Sequence, residues 1–231
     1  MSNRVLLWRH GQTDWNVANR FQGHSDIPLN EVGKAQAKHA AQVLAGMKPT
    51  MIISSDLERA RFTAQELADL VNLEVSVTQL LRETNGGQWE GKTGAQNRAD
   101  DFENFVRWID GEDHPAGTTG ERRSEVAARA TKAINEALAG KDDQLLVVTT
   151  HGGTARCLIG HLLQLPISHW GVVGGLSNAS WSIVQTNPRG WHLVEHNAGS
   201  IPEPVFGEES GAPAMPDWVK LGSTTGLWRS W

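Results

Sequence analysis

Basic side chains follow three short apolar segments of the sequence, at the points where those segments end. The segments are residues 5–8, 51–54 and 145–150, and the side chains that follow them are, in that order, Arg9 with His10, Arg59, and His151. If the segments are neighbouring parallel strands, their carboxyl ends meet at one edge of a sheet, which is where ligands bind in open α/β folds. The pattern therefore predicts an anion site at that edge.

Phosphate is the anion that these residue types fit best. The planar guanidinium group of arginine can donate to two phosphate oxygens at once. Small residues follow His151, so the helix expected there would present further backbone N–H groups to an anion, beginning at Gly152. A histidine beside guanidinium groups is expected to have a lowered pKa, because a second positive charge nearby is unfavourable. His10 would then be neutral and able to attack phosphorus.

Phosphoryl transfer to His10 also requires a proton for the leaving alkoxide. The segment 73–78 reads as a strand and is expected to run on through Leu81 to Arg82 and Glu83. That path brings Glu83 to the same edge of the sheet, and no other carboxylate is placed in reach by the strand ends. We therefore predict Glu83 as the proton donor.

The elements that position these residues alternate between short apolar strands and amphipathic helices. Helices are predicted at residues 31–45, 57–71, 121–138 and 155–165. A late antiparallel hairpin is predicted from residues 181–186 and 191–196, because Asn, Pro and Gly residues lie between them. The expected fold class is α/β, a three-layer α/β/α sandwich with a mixed, mostly parallel central sheet.

Composition excludes several classes of protein. The chain has 231 residues, of which 39% are hydrophobic, so one large globular domain is expected at residues 1–198. The Gly- and Pro-containing tail at 199–231 also carries apolar residues, so disorder and docking on the domain are both open for it. A net charge of -5 argues against nucleic acid as a partner, and no apolar run is long enough for a membrane helix. A single cysteine and a start unlike a signal peptide indicate a cytoplasmic location.

Five segments together resemble the histidine phosphatase superfamily, which includes cofactor-dependent phosphoglycerate mutases and metal-free phosphatases. The segments are residues 6–16, 20–33, 54–64, 81–91 and 147–153. The resemblance implies that His10 is the phosphorylated nucleophile and Glu83 the proton donor. It further implies a phosphate clamp of Arg9, Asn16, Arg59 and His151, and a substrate loop that contains Gln22 and Gly23. No metal ion or cofactor is implied, and a homodimer is an option because relatives often dimerise.

The resemblance favours a phosphatase of a phosphorylated small molecule over a mutase. The mutases of the family read HGN after the strand where this chain has His151, Gly152 and Gly153, and no long insertion with an arginine pair lies between Glu83 and Glu121. A broad-specificity phosphatase and a phospho-ligand binder without turnover are the remaining alternatives. Many relatives have serine where this chain has Arg122, so either Arg122 or Arg123 could contact a substrate carboxylate or be solvated.

Two further features have a competing structural explanation. Residues 86–93 fit the nucleotide-binding pattern G-x-x-x-x-G-K-[ST], but Trp89 and Glu90 place bulk and negative charge in the loop, and the strand at 145–150 does not end in the aspartate that would hold magnesium. We therefore expect no nucleotide site there.

Cys157 falls within a predicted helix and is expected to be a small buried residue rather than a catalytic thiol. Arg59 could also be an ordinary surface residue, Asn16 a helix cap, and Gln22 a residue that closes a loop.

Overall fold

The computed structural model describes residues 2–199, so the predicted tail lies outside the described residues apart from Gly199. The described chain forms one sheet with helices between its strands. The strands are β1 (Arg4–Arg9), β2 (Met51–Ser55), β3 (Val75–Thr78), β4 (Leu145–Thr150), β5 (Trp181–Asn187) and β6 (Gly190–Ala198). The helices are α1 (Asp14–Val17), α2 (Glu31–Ala45), α3 (Glu58–Val71), α4 (Gly94–Asp100), α5 (Phe102–Ile109), α6 (Arg123–Leu138) and α7 (Gly152–Leu162).

The sheet has the order β3-β2-β4-β1-β5-β6. The strands β1 and β2 both pair in parallel with β4, and β3 pairs in parallel with β2. β5 runs antiparallel to β1 and forms a hairpin with β6, as the turn residues between them predict. The sheet is therefore mixed and mostly parallel, and the predicted fold class is confirmed.

Helices cover both faces of the sheet, which explains why the central strands are apolar on both sides. On β1, Val5 and Leu7 pack in the same buried cluster as residues of α6 and α7, whereas Leu6 and Trp8 pack with residues of α2 and α3. Each of these side chains is fully buried. Burying an aliphatic side chain of this size stabilises a fold by about 1.5–3 kcal/mol, so the two apolar layers hold β1 firmly in the centre.

The path from β3 to Glu83 differs from the prediction. β3 ends at Thr78 instead of continuing, because the Thr78 side chain accepts a hydrogen bond from the backbone of Leu80 and starts a 3-10 turn at Gln79–Leu81. Glu83 therefore reaches the edge of the sheet on a loop. Helix α7 also differs, since it begins at Gly152 and ends at Leu162, three residues earlier at each end than predicted.

Helices α4 and α5 were not predicted. Helix α5 contributes Phe105 and Trp108 to a small separate core with Phe21, Trp89 and Ala116. Trp89 lies at its centre, with ring-centroid distances of 6.2 Å to Phe21, 5.6 Å to Phe105 and 5.8 Å to Trp108, all edge to face. Aromatic pairs prefer this geometry. The small core joins the segment after Glu83, through Trp89, to the loop that contains Phe21. No helix within residues 2–199 has the length and apolar character needed to cross a membrane.

Candidate active site

The carboxyl ends of β1, β2 and β4 bring the predicted basic residues together. β1 and β4 are paired in register, so His10 and His151 follow them side by side, with ring centroids 5.1 Å apart and planes tilted by 60°. Arg59 lies in the first turn of α3, which follows β2. All of these side chains and Arg9 are buried, with Arg59 and His151 fully so. The sequence prediction of one shared edge is confirmed.

His10 is held as a neutral ring with a defined tautomer. Its Nδ1 lies 2.7 Å from the carbonyl oxygen of Gly11, and a carbonyl only accepts, so Nδ1 carries the hydrogen and Nε2 keeps its lone pair. Burial is the main cause that lowers the pKa of His10 well below its usual range, followed by the charges of Arg59 and Arg9. The sequence attributed this shift to the guanidinium groups alone, whereas desolvation is the larger contribution.

The two arginines are oriented by backbone carbonyl groups. Arg59 donates from Nη1 to Ser25 at 2.8 Å and from Nη2 to Gly23 at 2.9 Å. Its Nε has no hydrogen-bond partner among the described residues. Burial lowers the pKa of Arg59 to about 10, with the charge of Glu83 opposing the shift, so the side chain stays charged at neutral pH. Arg9 donates to the carbonyl of Leu176 at 2.6 Å.

Arg9 also lies against the first residue of α7. A Cβ atom on Gly152 would be 3.5 Å from the Arg9 Nε, so the helix start and the guanidinium group pack closely. Gly152 therefore lies directly beside the Arg9 guanidinium group.

His151 makes one hydrogen bond, between its Nε2 and the hydroxyl of Ser55 at 2.9 Å. The Ser55 oxygen also accepts from the backbone of Leu57, and its one hydrogen and second lone pair allow it either to donate to His151 or to accept from it. When Ser55 donates, Nδ1 of His151 carries the ring hydrogen, and Nδ1 has no hydrogen-bond partner within residues 2–199. Burial, then the charge of Arg59, lowers the pKa of His151 well below its usual range. His151 is therefore a neutral, buried ring.

The carboxylate of Glu83 is bound at the N-terminus of α7. Its Oε1 accepts from the backbone of Thr84 at 2.8 Å and of Thr154 at 3.0 Å, and its Oε2 accepts from the backbone of Gly153 at 2.9 Å. The sequence assigned these helix N–H groups to phosphate, and for Gly153 and Thr154 that assignment is wrong. A carboxylate of the chain itself already satisfies them, as the helix dipole favours.

Asn16 serves as a structural link as well as a predicted clamp residue. Its Oδ1 accepts from the backbone of Thr13 at 2.9 Å and from the amide of Asn178 at 3.2 Å. The same Asn178 amide lies 3.2 Å from the carbonyl oxygen of His10. Asn16 therefore caps α1 and connects that helix to the backbone of the predicted nucleophile.

The predicted substrate loop is organised by a residue that the sequence did not identify, Glu90. Its carboxylate accepts from the backbones of His24 at 2.9 Å, Ser25 at 3.1 Å and Gly86 at 3.1 Å. Gly23 has φ +51, and a Cβ there would lie 2.0 Å from Glu90 Oε1, so only glycine fits. Gln22 is buried beside it, and its Oε1 has no hydrogen-bond partner among the described residues.

Other residues around the site were also missed by sequence reasoning. They are Ser55, Asn178, Glu121 and Arg129, in addition to Glu90. Ser55 directly follows a predicted strand, so its position was a usable signal. The others act on backbone groups or on distant segments, and their spacing in the sequence carries no such signal.

The residues left open by the sequence take structural positions. The Arg123 guanidinium lies 3.8 Å over the Trp108 ring, and Arg122 donates to the backbone of Asp113 at 2.5 Å. Cys157 is buried, and burial raises its pKa to about 12, so it is a protonated thiol. The nucleotide-like pattern contains a 3-10 turn at Gly87–Trp89 rather than a strand and phosphate loop, as expected.

No group of three or more His, Cys, Asp or Glu residues within the described part of the chain has the arrangement of a metal site. The arrangement instead offers a neutral imidazole nitrogen, buried guanidinium groups and one carboxylate at the same edge of the sheet. Such a set can bind a phosphate group, attack it and exchange a proton with its ester oxygen.

Comparisons with known proteins agree with this chemistry. The family model of the histidine phosphatase superfamily (branch 1) matches residues 5–199. The chain is 42% identical over 190 aligned residues to glucosyl-3-phosphoglycerate phosphatase of Mycobacterium tuberculosis. The alignment covers 78% of this chain and 84% of that protein. It is 34% identical over 163 residues to a probable phosphoglycerate mutase of Erwinia tasmaniensis, covering 71% of this chain and 76% of that protein.

The solved structures give the same relationship. The structure of a mycobacterial glucosyl-3-phosphoglycerate phosphatase in complex with VO3 superimposes with a TM-score of 0.79 and 40% sequence identity. The superposition covers 85% of this chain and 99% of that chain. Similarity in sequence and similarity in fold therefore point to the same group of enzymes.

Proposed function

The chain belongs to the histidine phosphatase superfamily, and from that membership we propose that it hydrolyses phosphomonoesters through a phosphohistidine on His10, without a metal ion or cofactor. One observation carries the proposal more than any other. His10 is a buried neutral ring whose Nδ1 hydrogen is held by the Gly11 carbonyl, so that Nε2 offers its lone pair beside two buried arginines. This is the form in which an imidazole attacks phosphorus.

In the first step, Nε2 of His10 attacks phosphorus and the bond between phosphorus and the ester oxygen breaks. Glu83, in its protonated form, gives its proton to that oxygen, which leaves as an alcohol. Arg9 and Arg59 balance the charge on the three phosphoryl oxygens, with Asn16 and Gly152 completing the walls of the pocket. The product is phosphohistidine and the free alcohol.

Two buried donors without partners support a role in holding the phosphoryl group. They are Arg59 Nε and, in the tautomer in which Ser55 donates to the ring, His151 Nδ1. A buried donor that lacks an acceptor costs about 1–3 kcal/mol, and a phosphate oxygen would supply that acceptor. We therefore assign Arg59 and His151 to the clamp.

In the second step, a water molecule attacks the phosphohistidine. Glu83, now a carboxylate, takes a proton from that water, and the bond between phosphorus and His10 Nε2 breaks. Inorganic phosphate leaves, and the imidazole returns to its neutral state. The same carboxyl group thus acts first as an acid and then as a base.

The proposed substrate is glucosyl-3-phosphoglycerate or a similar phosphorylated small metabolite. The 42% identity to a phosphatase named for that ester supports this choice. The sequence motifs at residues 22–29, 81–96, 120–130 and 174–181 also look most like that enzyme. The unpartnered Oε1 of Gln22, in the loop above the site, would accept from a hydroxyl group of the substrate.

A cofactor-dependent phosphoglycerate mutase is the second candidate, because a probable mutase is 34% identical to the chain. Glycine at 153, where the mutases have asparagine, favours the phosphatase. A broad-specificity phosphatase would share the mechanism and differ only in the loops, and a pure binder would have no use for a proton donor such as Glu83.

The protein is further proposed to work in the cytoplasm on its small-molecule substrate, with neither nucleic acid nor membrane as a partner. The net charge of -5 and the single, buried cysteine support this. A homodimer stays a proposal, and the molecular mass in solution by light scattering distinguishes it from a monomer.

Phosphate release without added metal tests the proposal. Glucosyl-3-phosphoglycerate is compared with 3-phosphoglycerate, 2-phosphoglycerate, phosphoserine and p-nitrophenyl phosphate at matched concentrations. We expect a preference of at least about 100-fold in kcat/KM for the glucosylated ester, which corresponds to about 2.7 kcal/mol of transition-state binding. Equal rates on all esters would indicate a broad phosphatase. Interconversion of 3-phosphoglycerate and 2-phosphoglycerate that depends on a bisphosphorylated primer and releases no phosphate would indicate a mutase, and neither activity a binder.

A further inference from the structure

Arg129, on helix α6, holds the backbone that leads to Glu83. Its Nη1 donates to the carbonyl oxygens of Leu80 at 2.8 Å and Arg82 at 2.7 Å, and its Nη2 donates to the carbonyl oxygen of Glu83 at 2.9 Å. The side chain is only 15% exposed. One guanidinium group thus fixes three carbonyls of the loop that replaced the predicted strand.

Glu121 completes the contact on the other side of Glu83. Its carboxylate accepts from Arg129 Nε at 2.7 Å and Nη2 at 2.9 Å. The same carboxylate accepts from the backbone of Asn85 at 2.8 Å, and the backbone of Glu121 donates to the Asn85 carbonyl at 2.9 Å. Burial raises the pKa of Glu121, but hydrogen bonds and charge from Arg129 outweigh this and lower it below its usual value. The pair is therefore ionised.

The loop is consequently held on both sides of the proton donor. Arg129 holds residues 80–83, and Glu121 holds residue 85. The His24 ring, in the substrate loop, also shares the Glu83 carbonyl, with its Nε2 at 2.9 Å. The Glu83 side chain is bound separately, by N–H groups of Thr84 and α7. Main chain and side chain are thus fixed by different groups.

We propose that Arg129, paired with Glu121, is a positioning residue that sets the distance between the Glu83 carboxyl and the leaving oxygen of the substrate. The inference rests on the proposed phosphatase function and adds a determinant to it. An arginine is required because its planar guanidinium group donates five hydrogen bonds in fixed directions, to three carbonyl oxygens and to the Glu121 carboxylate. A lysine ammonium has only three donors, on a flexible side chain. A misplacement of about 1 Å at a reacting group can lower a rate by about 100-fold.

The leaving group distinguishes positioning of the acid from general damage. The alkoxide released from an alkyl phosphate needs a proton as it leaves, whereas p-nitrophenolate is stable enough to leave without one. A displaced Glu83 therefore lowers kcat/KM, which reports the steps up to release of the alcohol, much more for the alkyl ester than for the aryl ester. Loss of overall structure or of phosphate binding slows both alike.

The test compares Arg129→Lys with wild type on p-nitrophenyl phosphate and on the alkyl ester of the substrate panel that wild type hydrolyses fastest. We expect kcat/KM on the alkyl ester to fall about 10- to 100-fold further than kcat/KM on the aryl ester, by the positioning argument above. The loss of kcat/KM on the aryl ester should be small, because Arg129 contacts backbone carbonyls and Glu121. Thermal unfolding of each variant reports whether the fold is retained.

Arg123→Lys is the matched control, because Arg123 is a largely buried arginine on the same helix that lies over Trp108. It should leave the ratio of the two rates at the wild-type value. If Arg129→Lys does not fold, Glu121→Gln keeps the side-chain shape, removes the charge that holds Arg129, and should shift the ratio in the same direction.

An equal loss of kcat/KM on both esters in the folded variant would overturn the positioning role and leave the phosphatase function standing. A wild-type protein that hydrolyses neither ester would overturn the proposed function itself.

Discussion

The backbone N–H of Gly153 donates to Oε2 of Glu83 at 2.9 Å. The start of α7 therefore binds the carboxylate that is proposed to exchange protons with the substrate. A side chain at position 153 would have to displace the Glu83 carboxylate, since its Cβ would lie 2.6 Å from Glu83 Oε1. The glycine that separates this sequence from the HGN pattern of the mutases is thus in direct contact with the proposed acid.

Replacing Glu83 with glutamine should reduce turnover of alkyl phosphates. Glutamine keeps the shape but has no acidic proton to give, so kcat on the alkyl ester is expected to fall by about 100- to 10,000-fold, the usual contribution of a positioned acid. The loss of kcat/KM on p-nitrophenyl phosphate should be smaller, because its leaving group needs no proton. Steady-state rates on both esters measure this, and an alkyl rate equal to wild type would exclude Glu83 as the proton donor.

Stability should fall as the pH is lowered from about 7.5 to about 5.5. His10 and His151 have lowered pKa values in the folded protein, so the unfolded chain binds more protons below its own pKa of about 6.5. The stability they provide is complete above that pH and decreases as the pH falls toward the lowered values. Each histidine contributes a slope of up to about 1.4 kcal/mol per pH unit.

Urea unfolding of wild type and of His10→Asn at several pH values in this window measures the slope. His151 and His196, whose pKa is also lowered, remain in the variant, so its slope should be smaller but not zero. Identical slopes would show that His10 is not buried as a neutral ring.

Gly23→Ala should impair catalysis more than stability. An alanine at φ +51 costs about 1–2 kcal/mol of backbone strain. Its Cβ would also displace Glu90, which holds the loop that contains Gln22 and contacts Arg59. We therefore expect kcat/KM to fall as well.

Gly140→Ala is the matched control for Gly23→Ala. Gly140 has φ +67, and a Cβ there would have no atom within 4 Å. Gly140→Ala should lower the free energy of unfolding through the same backbone strain, whereas its kcat/KM should equal that of wild type. If the two variants had the same activity, the fixed shape of the substrate loop would not matter for turnover.

The sequence predicted the core of the fold well because buried parallel strands and amphipathic helices have distinct patterns. Helix α2 and strand β4 have the predicted bounds, and the basic residues after the strands meet as expected. Helix α5 was missed although Phe102, Phe105 and Trp108 recur at helical spacing, a signal that was available. Helix α4, with seven residues, has no comparable pattern.

The prediction was weakest where residues act through the backbone. The strand pattern predicted the correct edge of the sheet for Glu83 but the wrong path to it. A 3-10 turn and the Arg129 contacts bring Glu83 there, instead of a continued strand. The N-terminus of α7 was assigned to phosphate because small residues there expose N–H groups, and spacing cannot show that Glu83 takes two of them. Such contacts depend on how distant segments pack.

Detection of phosphohistidine tests the proposed mechanism most directly. The protein is mixed briefly with a substrate labelled on its phosphoryl group, denatured in alkali, digested and analysed for labelled peptides. We predict an acid-labile, alkali-stable label on the peptide that contains His10, formed at a rate at least as fast as turnover and absent from His10→Ala. Turnover by wild type with no such label, or an active His10→Ala variant, would contradict the mechanism.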